Sequence, residues 1–196
     1  MSEHNQGFAK LLSDFMTHHN IGPSDYAIMA GYGVGQITGR QVTDLDVVLS
    51  GLAYNKLKSI NDERLKISIT DLSRTEKIMM DTPYGEIEFF EREITGFPSN
   101  AYSLRNLQAH NRLAYDEFMN PYVDAQTTIE HYAEVRLEGK HIIFGDGYII
   151  QKERLEKNIS HLKSIRDTMR YMEHTELTEL LNSRIARLEK LLYEIG

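Results

Sequence analysis

The chain has no cysteine and no tryptophan, and only 4 prolines in 196 residues. Without thiols there are no disulfides and no thiolate metal sites, so any bound metal must sit on oxygen or imidazole. No window approaches the roughly 18 uninterrupted apolar residues that a membrane-spanning helix needs. The first 20 residues carry Glu3, Lys10 and Asp14 where a signal peptide would be apolar, so a cytoplasmic protein without a membrane partner is expected. Internal repeats, low-complexity tracts and flexible linkers are also missing. Basic side chains are scarce in one part of the chain: residues 1–150 hold 13 Lys+Arg against 21 Asp+Glu, whereas residues 151–196 hold 9 against 8. An acidic half of this kind argues against a non-specific grip on a nucleic-acid backbone and suits a site that collects divalent cations. A local basic patch on the tail keeps a structured RNA acceptor open.

What is present is ordinary for a globular protein. Hydrophobic residues make up 41% and charged residues 26%, which removes disordered and fibrous classes. The length suits one catalytic unit with a helical tail, divided as a core over 1–100 and a mostly helical region over 101–196 that ends in a helical hairpin.

Residues 6–19 place Phe8, Leu11, Leu12, Phe15 and Met16 at helical spacing before the breaker Asn20-Ile21-Gly22-Pro23. The apolar run Tyr26 to Ala30 predicts a strand that stops at a glycine cluster, with a short helix over Val34 to Thr38. Leu45 to Leu49 predicts a second strand, Ala53 to Ile60 a helix, and Leu65 to Thr70 a third strand. Lys77 to Met80 and Glu86 to Phe90 flank the turn signal 81–85 and predict a hairpin. Beyond Ser103 the pattern is mostly helical, broken at Asn120-Pro121 and at 139–147, where Ile142 to Phe144 reads as one late strand. Two amphipathic helices are expected over 151–172 and 175–194. The second carries the stripe Leu177, Leu180, Leu181, Ile185, Leu188, Leu191 and Leu192.

The chemistry centres on Asp44 and Asp46. Two aspartates two residues apart on a strand point to one face, because successive side chains alternate. Phosphoryl chemistry on a nucleoside triphosphate needs a divalent metal held by hard anionic oxygens, and this pair supplies them. Their neighbours Leu45, Val47, Val48 and Leu49 belong in a core, and the adjacent sequence offers mainly Arg40 as a structural counter-charge. Upstream, a strand ending at Gly31-Tyr32-Gly33 and entering a short helix offers backbone N–H groups of the kind that cradle phosphate. A third carboxylate is expected from the hairpin arm GEIEFFE, where Glu86 and Glu88 share a face. Glu88, between Ile87 and Phe89, is the preferred ligand and base; the alternative is that both glutamates line the solvated face of an edge strand.

The stretch AGYGVGQITGRQVTDLDVVLS, residues 30–50, resembles the signature of the nucleotidyltransferase superfamily, with its DNA polymerase beta-like fold: a glycine turn, a short helix, then an Asp-x-Asp strand. It looks most similar to small bacterial enzymes that adenylylate aminoglycosides and lincosamides, and to nucleotidyltransferase toxins of abortive-infection systems. The resemblance covers residues 26–50 and extends to 77–91. It implies an α/β (α+β) fold with a mixed sheet flanked by helices, two Mg²⁺ ions on Asp44, Asp46 and Glu88, and a nucleoside triphosphate, such as ATP, as donor. A nucleoside monophosphate would pass to a hydroxyl of a small molecule, RNA or protein, with release of pyrophosphate. Gly31, Tyr32, Gly33 and Arg40 would lie at the nucleotide, and the segment EGKHIIFGDG would bring Lys140 to a phosphate. Two positions depart from the family pattern. Ala30 and Tyr32 stand where a glycine and a Ser or Thr are usual, which leaves the backbone of 31–33 as the phosphate cradle, and the third carboxylate is Glu rather than Asp.

Other readings compete. G-x-G-x-G lacks the third glycine of a dinucleotide fingerprint, and the 43 residues before Asp44 are too few for the donor half of a sugar-nucleotide glycosyltransferase. The histidines form no metal-spaced pair. The tail's leucine stripe reads as core packing, with a homodimer through the C-terminal helices as the alternative. An inactive binding or regulatory protein on the same fold, or a component of a toxin system, is the alternative to an enzyme.

Overall fold

In the computed structural model, residues 2–69, 76–91, 103–144 and 148–195 are described, apart from the side chains of Ala30 and Tyr148. Thr70, at the end of the third expected strand, and residues 145–147 of EGKHIIFGDG lie outside them. The chain forms two compact units, 1–124 and 125–196. The first holds a seven-stranded mixed sheet and the second a three-stranded one, each with helices, so the fold is of the mixed α/β class. No described helix is long and apolar enough to cross a membrane.

In the first unit, helix α1 (Glu3–His18) starts where the Ser2 hydroxyl accepts from the Asn5 N–H at 3.2 Å. That side-chain cap explains why the helix begins before the expected Gln6. Its buried face of Phe8, Ala9, Leu12, Phe15 and Met16 joins the core. Strand β1 (Tyr26–Ile28) leads into α2 (Ala30–Thr38), then β2 (Asp44–Leu49) and α3 (Gly51–Lys58). Strands β3 (Leu65–Ile69), β4 (Glu76–Thr82) and β5 (Gly85–Glu91) follow, then α4 (Leu104–Ala109), β6 (Leu113–Tyr115) and β7 (Pro121–Val123). The sheet order is β3-β4-β5-β2-β1-β7-β6, with β2 parallel to β5 and β1 parallel to β7.

Alternation along β2 and β5 sends Leu45, Val47, Leu49, Ile87 and Phe89 to one face, where they pack with α1 and with Ala53, Tyr54 and Leu57 of α3. Phe15 stacks on Phe89 with ring centroids 5.8 Å apart. Burying each such side chain is worth about 1.5–3 kcal/mol. On the opposite face Val48 joins Ala27, Met29, Val123 and the α4 residues Leu104 and Leu107 in a smaller cluster.

In the second unit, α5 (Ala125–Ala133), β8 (Val135–Glu138), β9 (His141–Phe144), β10 (Tyr148–Ile150), α6 (Lys152–Tyr171) and α7 (Thr175–Ile195) follow in order. Leu181, Ile185 and Leu188 are buried, and α7 packs along α6, so this part of the leucine stripe is used within the unit.

Three expectations change. The unit built on the large sheet runs to Asp124 rather than stopping at 100, because Pro121 opens a strand that pairs with β1 through Ile28 and Tyr122. A proline is tolerated at a strand's first residue, so Asn120-Pro121 is an entry to the sheet and not only a break. The region beyond 101 is less helical than its pattern, carrying β6, β7 and the β8–β10 sheet. Finally, α2 starts at Ala30 rather than Val34, so Gly31 and Gly33 lie inside a helix along with Gly35. Gly35 has a packing role there: a Cβ on it would stand 2.3 Å from Val42 Cγ2, so the glycine lets the returning chain close on the helix.

Candidate active site

The parallel register of β2 and β5 sets Asp44 beside Glu86 and Asp46 beside Glu88. Neighbouring strands lie about 4.8 Å apart, so four carboxylates share one small area of the sheet face turned away from the main core. Asp44 is exposed, and Asp46, Glu86 and Glu88 are half-buried. The three residues read from the sequence as metal ligands, Asp44, Asp46 and Glu88, therefore lie on one face of adjacent strands, with Glu86 among them.

The next strand continues this face with Asp81 beside Glu86 and Met79 beside Glu88. Lys77, diagonal to Glu88, forms an ion pair with its Oε1; the two side chains are only 15% and 20% exposed. Further out, Lys66 pairs with Asp81 at 2.6 Å in solvent. Burial, then the hydrogen-bonded and charged Glu88 beside it, pushes the Glu86 carboxyl above the usual glutamate range. The Thr43 hydroxyl donates to Asp44 Oδ1 at 3.3 Å.

On its other side Asp46 meets the start of α2. The Met29 N–H donates to the Asp46 carbonyl at 2.7 Å, and Met29 is the residue from which α2 departs. The Met29 side chain itself makes no capping hydrogen bond. The first-turn N–H groups of α2 and the positive end of the helix dipole are thus one strand away from the carboxylates.

No family model, no curated protein and no solved structure matches the chain.

The residues expected at the nucleotide divide. Gly31 lies in the first turn of α2, and Gly33 lies further in, where helical N–H groups turn back along the axis. Tyr32 has a different place from the one expected of a phosphate contact. Its N–H donates to the Met29 carbonyl at 3.1 Å, and its side chain is buried with the hydroxyl donating to Asp116 Oδ2 at 2.8 Å. Burial and the Asp116 charge raise the Tyr32 pKa, so the phenol stays protonated. Arg40 is exposed on the segment leading into β2, its carbonyl accepting from Asn5 Nδ2 at 2.8 Å. Lys140 is exposed in the turn between β8 and β9 of the second unit, after Gly139 at φ +61°.

Two features escaped the sequence reading. Asp116 is buried and accepts from the N–H groups of Phe118 and Asn120, each at 2.9 Å, from Asn120 Nδ2 at 2.9 Å and from Tyr32. Asn120 in turn accepts from the Tyr26 hydroxyl at 2.7 Å and donates to the Ala9 carbonyl at 3.0 Å. This network ties the first turn of α2 to α1 and to the β6–β7 connection; the Asp-x-x-x-Asn spacing before Pro121 was its only local signal. The second is Lys77, which reads as an ordinary hairpin residue until the register brings it to Glu88.

The donor chemistry suits a hard cation: carboxylate oxygen, on a face where burial first and then the neighbouring Glu88 raise the Glu86 pKa. As the side chains lie, no three described His, Cys, Asp or Glu side chains are close enough together to hold a metal ion. The Lys77 ammonium is already paired with Glu88 through Oε1.

Proposed function

We propose that the chain is a Mg²⁺-dependent nucleotidyltransferase that moves a nucleoside monophosphate from a nucleoside triphosphate to a hydroxyl of a small molecule, RNA or protein, releasing pyrophosphate. The observation that carries this reading is the position of Asp46, flanked by Glu88 through the parallel register and by the start of α2 through the Met29 N–H. Carboxylates for a metal and backbone donors for a phosphate then share one end of the sheet.

In this reading Asp44, Asp46 and Glu88 hold Mg²⁺, which would neutralise the triphosphate and polarise its α-phosphate. Gly31 and the start of α2 hold phosphate oxygens, with Arg40 as a further candidate contact. The acceptor oxygen forms a bond to the α-phosphorus as the bond to pyrophosphate breaks, and the hydroxyl proton passes to a carboxylate, Glu88 being the candidate base. Tyr32 acts indirectly, its phenol fixing the first turn of α2 to Asp116. A cytoplasmic setting belongs to the same proposal. The Lys77–Glu88 ion pair favours one rival, an inactive binding or regulatory protein in which a lysine fills the site for good.

The full chain incubated with Mg²⁺ and each radiolabelled nucleoside triphosphate, together with small-molecule, RNA and protein acceptors, should release pyrophosphate and label one acceptor class. Asp46→Ala should lower that rate by at least about 100-fold, since even residues behind the metal ligands cost 10–100-fold. Equal turnover by the variant, or none by either protein, refutes the enzymatic reading.

A further inference from the structure

We propose that Lys77 is the resident counter-ion of the carboxylate face, a placeholder whose ammonium must leave Glu88 before a divalent cation can bind there. This rests on the reading of Asp44, Asp46 and Glu88 as a metal site. Asp44, Asp46, Glu86 and Glu88 lie on one face of two adjacent strands, and like charges so close oppose each other. The face still has to fold without a metal, because the sheet is made from the same strands.

Lys77 supplies the compensating charge. Its side chain is 15% exposed, and a lysine so covered holds its charge only with a partner; Glu88 Oε1 is that partner. Lys66, the other lysine on this face, is engaged with Asp81 in solvent. The ammonium and a divalent cation are both positive and both take carboxylate oxygen, so the two compete for Glu88. Metal binding is therefore an exchange, one cation in and one ammonium out, and its apparent affinity is set in part by Lys77.

The test is Mn²⁺ binding to the EDTA-treated full chain, followed by electron paramagnetic resonance of the free ion, for the natural protein and for Lys77→Met, Lys77→Arg and Asp46→Asn. Removing one contacting positive charge near the surface should tighten Mn²⁺ about tenfold in Lys77→Met. Lys77→Arg should bind like the natural protein, because it keeps the charge. A Lys77 that only supported the hairpin would give unchanged or weaker binding in Lys77→Met, and that result overturns the proposal. If Asp46→Asn then still abolishes binding, the metal site survives and only the role of Lys77 fails. If neither the natural protein nor Lys77→Met binds Mn²⁺ better than Asp46→Asn, both fail. Lys77→Met folded only in the presence of Mn²⁺ supports the proposal, since it shows one cation substituting for the other.

Discussion

Met29 and Asp46 are joined by a backbone hydrogen bond of 2.7 Å, from the residue that starts α2 to the second aspartate of the central strand. The bond uses the Asp46 carbonyl, so Asp46→Asn keeps this backbone link while removing the side-chain charge. Asp46→Asn therefore isolates the charge. The metal-free variant should still fold, because the backbone link to α2 is kept. Mn²⁺ at about 100 times its dissociation constant should stabilise the natural protein by about 2.7 kcal/mol and the variant not at all. Thermal melts with and without the ion read both effects; equal stabilisation of the two proteins counts against a metal site at Asp46.

Tyr32 gives a second prediction. Tyr32→Phe removes the donor to Asp116 Oδ2 and leaves a buried carboxylate oxygen short of one partner. The cost should be about 1–3 kcal/mol by urea unfolding. Pyrophosphate release should fall much less than in Asp46→Ala, since the phenol is a positioning group behind the helix.

Gly85 opens β5 at φ +142°, and a Cβ there would lie 1.9 Å from the carbonyl oxygen of Thr43, the residue before Asp44. That oxygen accepts from the Glu86 N–H at 3.3 Å, so the clash falls where the two carboxylate strands meet. Gly85→Ala should cost about 1–3 kcal/mol from the backbone conformation, and more from the clash. Activity should be lost along with stability, as the register of Glu88 against Asp46 is disturbed.

His19 sets a pH dependence. Burial first, then the neighbouring His18, lower its pKa below the ordinary 6.5, and its ring packs on Phe15 at 4.6 Å. A lowered histidine pKa means the folded state prefers the neutral ring. Its contribution to stability is present above pH 6.5 and lost as the pH falls from there through the folded value. His19→Gln should flatten the stability profile in that window in denaturation curves at stepped pH. An unchanged profile removes His19 as the cause.

In the second unit Leu188 is fully buried. Leu188→Ala should cost about 2–5 kcal/mol, and the urea midpoint of that unit measures it. A loss below about 0.5 kcal/mol, the level of surface substitutions, shows the stripe is not core.

The local pattern of the chain determined much of this. Helix periodicity located α1, α6 and α7 to within a few residues, because an amphipathic face repeats regardless of what covers it. Alternation placed Asp44 with Asp46, and Glu86 with Glu88, on shared faces, because side-chain direction in a strand is fixed by the backbone alone. Other features are decided between distant segments and so had no local signal. Gly31 and Gly33 read as a turn because glycine disfavours helices, yet both lie inside α2, which packs through Gly35 against Val42. Pro121 read as a break, yet a strand order known only from the whole sheet makes it an entry beside β1. Above all, composition could not say which carboxylates meet. The parallel pairing of β2 with β5 put Glu88 beside Asp46, and the hairpin then brought Lys77 to the same oxygen. Strand alternation fixes the face a side chain takes, but only pairing register fixes its neighbour across the strands.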